Sequence, residues 1–459
     1  MSQPPNILYL HTHDSGRMFS PFGGASLTPH LQRLADEGVC YRRAFCVGPT
    51  CSPSRAALFT GRYPHQVGQF GLSNFGYPLA RPDQHLVPFL QQHGYRAALM
   101  GVQHVTRDER DLGYDHVRPD IVGGALGLRD PQMTSGPVVD AACEWLDQHG
   151  QDGPPWFLDA GVVDTHSNAM RQIPPEDEPG EAQIDRASPI PWLADLPEMR
   201  HWRSRFDVMA RSFDHAVGRI IATLDRLGLA ENTLVIYTTD HGPGVPLAKC
   251  TLTDAGLGVG LIVRGPGGYD TRHVVHDPVS HLDVFPTVCA AAGLDTPGWL
   301  EGQPLPKKAD DDSTDPRPIF AEINTHGRRS LAQPERCVRR GRYKLVRRWY
   351  PGPEPIQGNA DPTPVKEALT RDGWPAATQQ GQPTDHAAID SLYDLHLDPL
   401  ERRDRSQEPD HHEAQRQLGV LLDDWMRNTD DPLAPGGPGI PEPQPFETVD
   451  PNRHAYDSA

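Results

Sequence analysis

The chain has 459 residues, and its 43 Lys and Arg against 61 Asp and Glu give a net charge of −18. This length exceeds what one ordinary core supports, so we expect about two domains. The acidic balance argues against a nucleic-acid partner. An anionic substrate would therefore need a local positive pocket, built from a metal ion and a few basic side chains.

Neither a targeting segment nor a membrane span is visible in the sequence. Residues 1–10 lack a basic region followed by a long apolar region, and no stretch approaches the ~18 apolar residues of a membrane span. The seven cysteines are scattered without C-x-x-C spacing, which suggests neither a zinc cage nor a disulfide framework. We expect a cytoplasmic protein with no membrane partner.

Short apolar runs alternate with helical patterns over residues 6–293. Predicted strands cover residues 6–10, 95–101, 156–163, 234–239 and 261–264, and predicted helices cover residues 29–38, 206–227 and 283–293. This alternation predicts a mostly parallel α/β sheet. Four of the strands run into polar clusters, which begin at His11, Gln103, Asp164 and Asp240. Because open α/β sheets carry their sites beyond the strand ends, we expect one shared pocket there.

The pattern changes after about residue 305. A charged stretch at 307–318 predicts a linker, residues 335–350 predict a hairpin around Gly341, and residues 411–426 predict a helix. Residues 351–384 are rich in Pro and Gly without clear periodicity, and the tail from residue 432 is either extended along the surface or disordered. We therefore place a catalytic domain at 1–306 and a smaller α+β domain at 319–459.

The most specific signal is the segment from Cys51 to Arg62, which reads CSPSRAALFTGR. A Cys followed by Pro at +2 and Arg at +4 resembles the pattern by which sulfatases mark a cysteine for oxidation to formylglycine. In that family the hydrated aldehyde attacks sulfur with one hydroxyl and expels the sulfate through the other. The alternative is that Cys51 is a small buried hydrophobe ahead of a helix.

The resemblance to type I sulfatases covers nearly the whole chain. It implies the alkaline phosphatase-like fold, with a large mixed, mostly parallel sheet sandwiched by helices and a smaller C-terminal α+β domain. It also implies one divalent metal ion, held by His13, Asp14, Asp240, His241 and the formylglycine derived from Cys51. Calcium is the ion that the family leads us to expect first, whereas two imidazoles would favour manganese or zinc. The alternatives are turn or cap roles for the two aspartates, and a hydrogen bond without coordination for His13.

The same resemblance assigns the catalytic groups. Arg55 lies one helical turn from the nucleophile and would support its oxyanion or the metal-site carboxylates. His104 would be the base that resolves the sulfo-enzyme, and His166 the acid or a sulfate ligand. Lys249 would neutralise the sulfate. The alternatives are a surface position for Arg55 and structural roles for His104 and His166.

Val102 departs from the family pattern, because most sulfatases carry a sulfate-binding lysine at this position. Losing that cation could cost several kcal/mol of transition-state stabilisation, on the order of one oxyanion-hole contact. Either Gln103, Lys249 or another residue compensates, or the substrate or metal differs from the usual case, or the protein is a weakened member.

Shorter motifs resemble heparan N-sulfatase in particular. They lie at residues 64–68, 103–105, 337–346, 392–399 and 425–431. This likeness implies hydrolysis of a sulfate ester or a sulfamate on a small sulfated substrate, expected to be a sugar. It also implies a formylglycine-generating enzyme as the maturation partner, and it leaves a homo-oligomer open. The rival interpretations are a phosphonate monoester or phosphodiester hydrolase of the same superfamily and a non-catalytic sulfatase-like binding protein.

Overall fold

Two β-sheets form the framework of the protein. The computed structural model describes residues 4–118, 135–151, 153–308, 316–327, 332–349, 363–371 and 390–444. The strands of the larger sheet are β1 (Asn6–Thr12), β2 (Val39–Phe45), β3 (Arg96–Gly101), β4 (His116–Val117), β5 (Trp156–Gly161), β6 (Thr233–Thr239), β7 (Gly258–Arg264), β8 (His273–Val275) and β9 (Val279–Ser280). The smaller sheet contains β10 (Ile319–Ile323), β11 (Glu335–Arg340), β12 (Tyr343–Arg348) and β13 (Asp390–Asp394).

The larger sheet has the order β4-β3-β5-β1-β6-β7-β2-β8, and β9 pairs with β2. β1 lies between β5 and β6 and is parallel to both. β7 runs antiparallel to its neighbours β6 and β2, while β3 is parallel to β4 and β5. The prediction of a mixed, mostly parallel sheet is therefore confirmed.

Within the described residues the helices are α1 (Pro29–Asp36), α2 (Cys51–Thr60), α3 (Leu86–Gln92), α4 (Ser135–His149), α5 (Ser167–Met170), α6 (Glu181–Asp185), α7 (Pro197–Arg226), α8 (Asp254–Leu257), α9 (Val284–Ala292), α10 (Pro364–Arg371) and α11 (His412–Asn428). Helices cover both faces of the larger sheet, while α11 packs against β11 and β12 of the smaller sheet. Successive side chains of β1 point to opposite faces. Ile7 and Tyr9 pack in the apolar cluster that includes α2, α3 and α9, and Leu8 and Leu10 pack in the cluster that includes α1, α4 and α7.

Several predicted boundaries need correction. The helix predicted at 206–227 begins at Pro197, because proline is tolerated in the first helical turn. β2 was not predicted from the sequence, because the partly buried Arg42 and Arg43 interrupt its apolar run at a register shift. α4 was not predicted either, because Gly136 and Pro137 near its start hide the helical pattern. The stretch at 351–384, which shows no clear periodicity in the sequence, contains α10, and nearly all of the rest of it lies outside the described residues.

The smaller sheet is antiparallel, with the order β10-β11-β12-β13. The predicted hairpin is confirmed as β11 and β12, joined at Gly341 with a φ of 58° that favours glycine. Val338 and Leu345 of this hairpin pack in the same apolar cluster as Ile7 and Tyr9 of β1. The domain boundaries at 306 and 319 stay a prediction. Most of the predicted linker and the tail from residue 445 lie outside the described residues.

In the part of the chain that the structure describes, no helix combines the length and apolar character needed to cross a bilayer. A cytoplasmic location stays a prediction from the sequence.

Candidate active site

The functional side chains predicted from the sequence follow the carboxyl ends of four strands. His13 and Asp14 follow β1, His104 follows β3, His166 follows β5, and Asp240 begins the segment after β6. These strands are adjacent in the sheet and parallel to one another. Their polar ends therefore meet at one edge, as the sequence analysis predicted.

Cys51 is the first residue of α2, and every residue of that helix is buried. Its Sγ lies 3.5 Å from Nε2 of His241. The amino end of a helix carries a partial positive charge, which favours an anion at this position. The fold thus presents the cysteine where a developing negative charge is stabilised.

A buried cluster of metal-ligand types surrounds Cys51. One ligand atom from each of His13, Asp14, Cys51 and Asp240 lies within 4.8 Å of all the others. Nδ1 of His13 lies 3.0 Å from Oδ2 of Asp240, and Nε2 of His13 has no hydrogen-bond partner among the described residues. A buried nitrogen without a partner is costly in the absence of a ligand.

His241 completes this cluster, and its own hydrogen bond fixes its orientation. Nδ1 donates to the backbone oxygen of Gly242 at 2.9 Å, so Nε2 of the neutral ring carries a lone pair. That nitrogen lies 3.4 Å from Oδ1 of Asp14 and 3.6 Å from Oδ2 of Asp240. Buried acceptors that face one another in this way repel unless a cation lies between them. The donor set therefore fits a divalent metal ion.

Arg55 places a buried positive charge beside the same cluster. Its Nη2 donates to Oδ2 of Asp240 at 3.2 Å and to the backbone oxygen of Thr12 at 3.3 Å. Burial alone would raise the pKa of Asp240, but the basic groups around it, among them the guanidinium of Arg55, outweigh burial and hold that pKa well below its usual range. Asp240 is therefore ionised.

His104 is buried close to His13, with 6.2 Å between the ring centroids. Neither of its ring nitrogens has a hydrogen-bond partner among the described residues. Burial, followed by the charge of Arg55, lowers the pKa of His104 well below its usual value, so the ring is neutral. Its φ of 54° is uncommon for a side chain with a Cβ and indicates strain held in place by the surrounding structure.

His166 and Lys249 approach the cluster through Asp14. Nε2 of His166 lies 3.9 Å from Oδ2 of Asp14, and Nζ of Lys249 donates to the same oxygen at 2.9 Å. Nδ1 of His166 accepts from the backbone N–H of Asn168, so Nε2 carries the proton and directs it toward the site. The structure thus brings together all the catalytic and metal-binding residues predicted from the sequence.

The structure shows how Val102 and its neighbour Gln103 are placed. The side chain of Val102 is fully buried in the apolar cluster of α4 and α7. The amide of Gln103 donates to the backbone oxygen of Thr106 at 2.8 Å and accepts from the N–H groups of Val105 and Thr106. Gln103 therefore shapes the loop that carries His104, and it no longer qualifies as the compensating group.

Sequence reasoning missed two groups near the site. Nδ1 of His326, in the loop after β10, forms a short hydrogen bond with Oγ1 of Thr50, directly before Cys51. Behind Arg55, the side chains of His11 and Asp159 form a buried pair. The polar residues that follow the apolar run at 319–323 resemble the other strand ends and could have indicated His326. Nothing in the sequence could have linked residues 11 and 159.

A buried cysteine at a helix start faces carboxylates and imidazoles at the carboxyl edge of a mostly parallel sheet, and this arrangement agrees with the alkaline phosphatase-like fold expected from the sequence. The chain matches the family model described as Sulfatase over residues 5–294 and belongs to that family. It is accordingly a hydrolase of sulfuric esters or sulfamates.

Individual relatives agree with this assignment. The chain is 24% identical to an ulvan-active sulfatase of Formosa agariphila, over 93% of this chain and 75% of the relative. It is 25% identical to the N-sulphoglucosamine sulphohydrolase of Homo sapiens, over 95% of this chain and 93% of the relative, which confirms the predicted likeness. The solved structure of BT4656 with its substrate D-glucosamine-2-N,6-O-disulfate has the same fold, with a TM-score of 0.68 and 17% identity over 94% of this chain and 99% of that one.

Proposed function

We propose that the protein hydrolyses a sulfate ester or a sulfamate on a small sulfated sugar, through a formylglycine formed from Cys51 and one divalent metal ion. The observation that carries this proposal is the convergence of Cys51 with His13, Asp14 and Asp240 inside one buried cluster. A cysteine that only fills space in an apolar core would not be surrounded by buried carboxylates and an imidazole.

The proposed first step transfers the sulfo group to the enzyme. One hydroxyl of the hydrated formylglycine loses its proton to solvent and forms a bond to sulfur through its oxygen, and the bond from sulfur to the leaving oxygen or nitrogen breaks. The leaving group takes the proton that His166 holds on Nε2, which faces the site.

The second step releases the sulfate. His104 removes the proton from the remaining hydroxyl, the carbon–oxygen double bond re-forms, and the oxygen–sulfur bond breaks to free sulfate. A buried ring whose pKa is lowered is neutral over the working pH range and ready to accept this proton. Arg55 and Lys249 supply positive charge beside the carboxylates of the site.

His13, Asp14, Asp240 and His241 would hold the metal ion together with the oxidised residue 51. When bound, the ion would polarise a sulfate oxygen and favour the deprotonated nucleophile. Calcium remains the first expectation from the family, and the two imidazoles keep manganese and zinc open. Metal analysis of the purified protein by mass spectrometry distinguishes these ions.

We propose an N-sulfoglucosamine-like or other sulfated sugar as the substrate. Support comes from the similarity to N-sulphoglucosamine sulphohydrolase and from the fold shared with a structure that holds a sulfated glucosamine. Cys51 is 1% exposed, so a formylglycine-generating enzyme has to modify the chain before folding encloses the motif.

Peptide mass spectrometry across residues 51–55 tests the mechanism on protein from its native host, or on protein co-expressed with a formylglycine-generating enzyme. An aldehyde at residue 51, together with sulfate release that the Cys51→Ala variant lacks, is the expected result. An unmodified thiol under those conditions contradicts the proposed nucleophile.

A phosphonate monoester or phosphodiester is the second candidate substrate. It is favoured by two imidazoles in the proposed metal set and by the apolar Val102 in place of the usual lysine. Rates on sulfate and phosphonate esters with the same leaving group decide between the two. A kcat/KM that is higher for the phosphonate would replace the first proposal.

A further inference from the structure

We infer that His11 and Asp159 are positioning residues that aim the guanidinium of Arg55 at the nucleophile and metal cluster. The expected effects on kcat rest on the proposed function. The hydrogen-bond arrangement of the three side chains does not depend on that function. His11 and Asp159 are residues to which the resemblance to sulfatases assigns no role.

The proton positions in this group follow from which atoms are able to donate. Nη1 of Arg55 lies 2.8 Å from Nδ1 of His11. A guanidinium nitrogen only donates, so Nδ1 must accept and therefore carries a lone pair. The proton of the neutral ring then lies on Nε2, and it points to Oδ1 of Asp159 at 2.9 Å. One carboxylate thus selects the tautomer that receives Arg55.

The other oxygen of Asp159 is also occupied. Oδ2 accepts from the hydroxyl of Tyr114 at 2.7 Å. Burial and the charge of Asp159 raise the pKa of Tyr114, so the phenol keeps its proton and remains a donor. The carboxylate is therefore held from two directions, and it cannot rotate away from His11 without losing a buried hydrogen bond.

The sheet fixes the ring of His11 in this orientation. His11 is fully buried on β1, and its register partner on β5 is Gly161. A Cβ on Gly161 would lie 2.3 Å from Cε1 and 2.4 Å from Nε2 of His11, so the missing side chain leaves the space that the ring fills. The ring of Tyr9 covers another side, with centroids 4.7 Å apart.

The consequence lies at the far end of Arg55. With Nη1 bound to His11, Nη2 is directed to Oδ2 of Asp240 and to the backbone oxygen of Thr12. Without an acceptor at Nδ1, a buried N–H of the guanidinium would lack a partner, and the group would turn to find another. The charge next to Asp240 would then be misplaced.

The decisive variants are His11→Asn and His11→Leu. Both side chains have similar size and branching, but only asparagine offers an oxygen where Nδ1 stands. We expect His11→Leu to lower kcat by about 10- to 100-fold, which is the usual effect of removing a group that orients a site residue. His11→Asn should recover most of that loss. Equal losses in both variants would overturn the inference.

Two further variants test the connection to Arg55 and Asp159. In an Arg55→Ala background, His11→Leu should have little additional effect on kcat, because its target is gone. Asp159→Ala should lower kcat as His11→Leu does, and the double variant His11→Leu/Asp159→Ala should be no slower than either one. Additive losses would show that these residues act independently.

Nitrogen NMR of ¹⁵N-histidine-labelled protein gives a readout that needs no catalysis. The His11 signals, assigned by their loss in His11→Asn, should show a protonated Nε2 and an unprotonated Nδ1. The opposite tautomer, or a doubly protonated ring, would overturn the inference even if the enzyme were active. If the expected tautomer is found in a protein that releases no sulfate, the proposed function fails and the structural inference stands.

Discussion

Nζ of Lys249 lies 2.9 Å from Oδ2 of Asp14, and both side chains are almost completely buried. The loop that delivers this lysine is held in an uncommon backbone conformation, with φ values of 63° at Leu247 and 66° at Cys250. Because Val102 is apolar and Gln103 is occupied within its own loop, Lys249 is the strongest remaining candidate for the missing sulfate-binding cation.

Lys249→Met should lower kcat/KM for sulfate esters by about 10²- to 10³-fold, which is the usual effect of removing one donor from an oxyanion hole. The charge lost is the one that would face the sulfo group, and methionine retains most of the side-chain volume. Steady-state kinetics measures the effect, and Lys249→Arg is the control that keeps the charge. Thermal unfolding of both variants separates catalysis from stability. If Lys249→Met keeps the wild-type kcat/KM, Lys249 forms only a structural ion pair with Asp14 and does not bind the sulfo group.

Much of the site could be predicted because its residues stand directly after strands. The pairs His13-Asp14 and Asp240-His241 follow apolar runs that predict strands. Because parallel strands bring their carboxyl ends together, this pattern predicts that the two pairs share one site. The proposed nucleophile, Cys51, lies in a local motif of consecutive residues. Each of these features depends on a few consecutive residues, which sequence reasoning handles well.

The remainder depends on contacts between distant parts of the chain. The register of β1 against β5 places His11 opposite Gly161 and within reach of Asp159, and neither residue shows this in its own segment. The burial of Val102 among α4 and α7 likewise follows from packing. Proton positions on histidines require the full set of hydrogen-bond partners, so the sequence alone could not assign them.

His166→Ala should impair poor leaving groups far more than activated ones. Nδ1 of His166 accepts from Asn168, so the proton on Nε2 is available to the leaving oxygen or amine. An aryl sulfate with an acidic phenol needs no such proton, whereas a sugar alcohol or a sulfamate amine does. We expect a loss of about 10²- to 10⁴-fold on the poor leaving group. The kcat values of His166→Ala on a series of aryl and alkyl sulfates measure this, and equal losses across the series would refute the acid role.

His13→Asp should shift the metal preference toward calcium. The change replaces an imidazole in the cluster with a carboxylate, and calcium binds oxygen ligands while zinc accepts nitrogen readily. Isothermal titration of the chelator-treated protein with calcium, manganese and zinc compares the affinities. His104→Asn, outside the proposed ligand set, is the control and should keep the wild-type order of the three ions. An unchanged order in His13→Asp would place His13 outside the coordination sphere.

Two of the motifs that resemble heparan N-sulfatase, at residues 64–68 and 425–431, meet beside the smaller sheet. His65 bonds Glu322 of β10 through both its ring Nδ1 and its backbone N–H, and its Nε2 lies 3.0 Å from the backbone oxygen of Thr429. Arg336 of β11 forms a two-point ion pair with Asp431 at 2.5 and 2.9 Å. Two of the motif segments, together with Glu322 and Arg336, therefore belong to one buried network away from the proposed metal ligands. Their presence reports how the two parts of the chain pack rather than which sugar is cleaved.

This network predicts that stability falls as the pH rises. Both ring nitrogens of His65 face acceptors, so both carry protons and the ring is an imidazolium in the folded protein. Burial would lower its pKa, but Glu322 and then Asp431 outweigh burial and Arg336, and the pKa of His65 is raised above 6.5. Protonation therefore stabilises the folded state fully below the unfolded pKa of about 6.5, and this contribution is lost as the pH rises through the folded pKa.

Urea unfolding of the wild type and of His65→Gln between pH 5.5 and 9 measures this contribution; glutamine keeps a donor and an acceptor but cannot be charged. We expect the wild-type free energy of unfolding to decrease above about pH 6.5 relative to that of His65→Gln, so that the two curves approach each other at high pH. Glu322→Gln should reduce the same pH dependence, because it removes the charge that holds the proton on His65. Parallel curves for wild type and His65→Gln across this range would show that the buried ring is neutral in the folded protein.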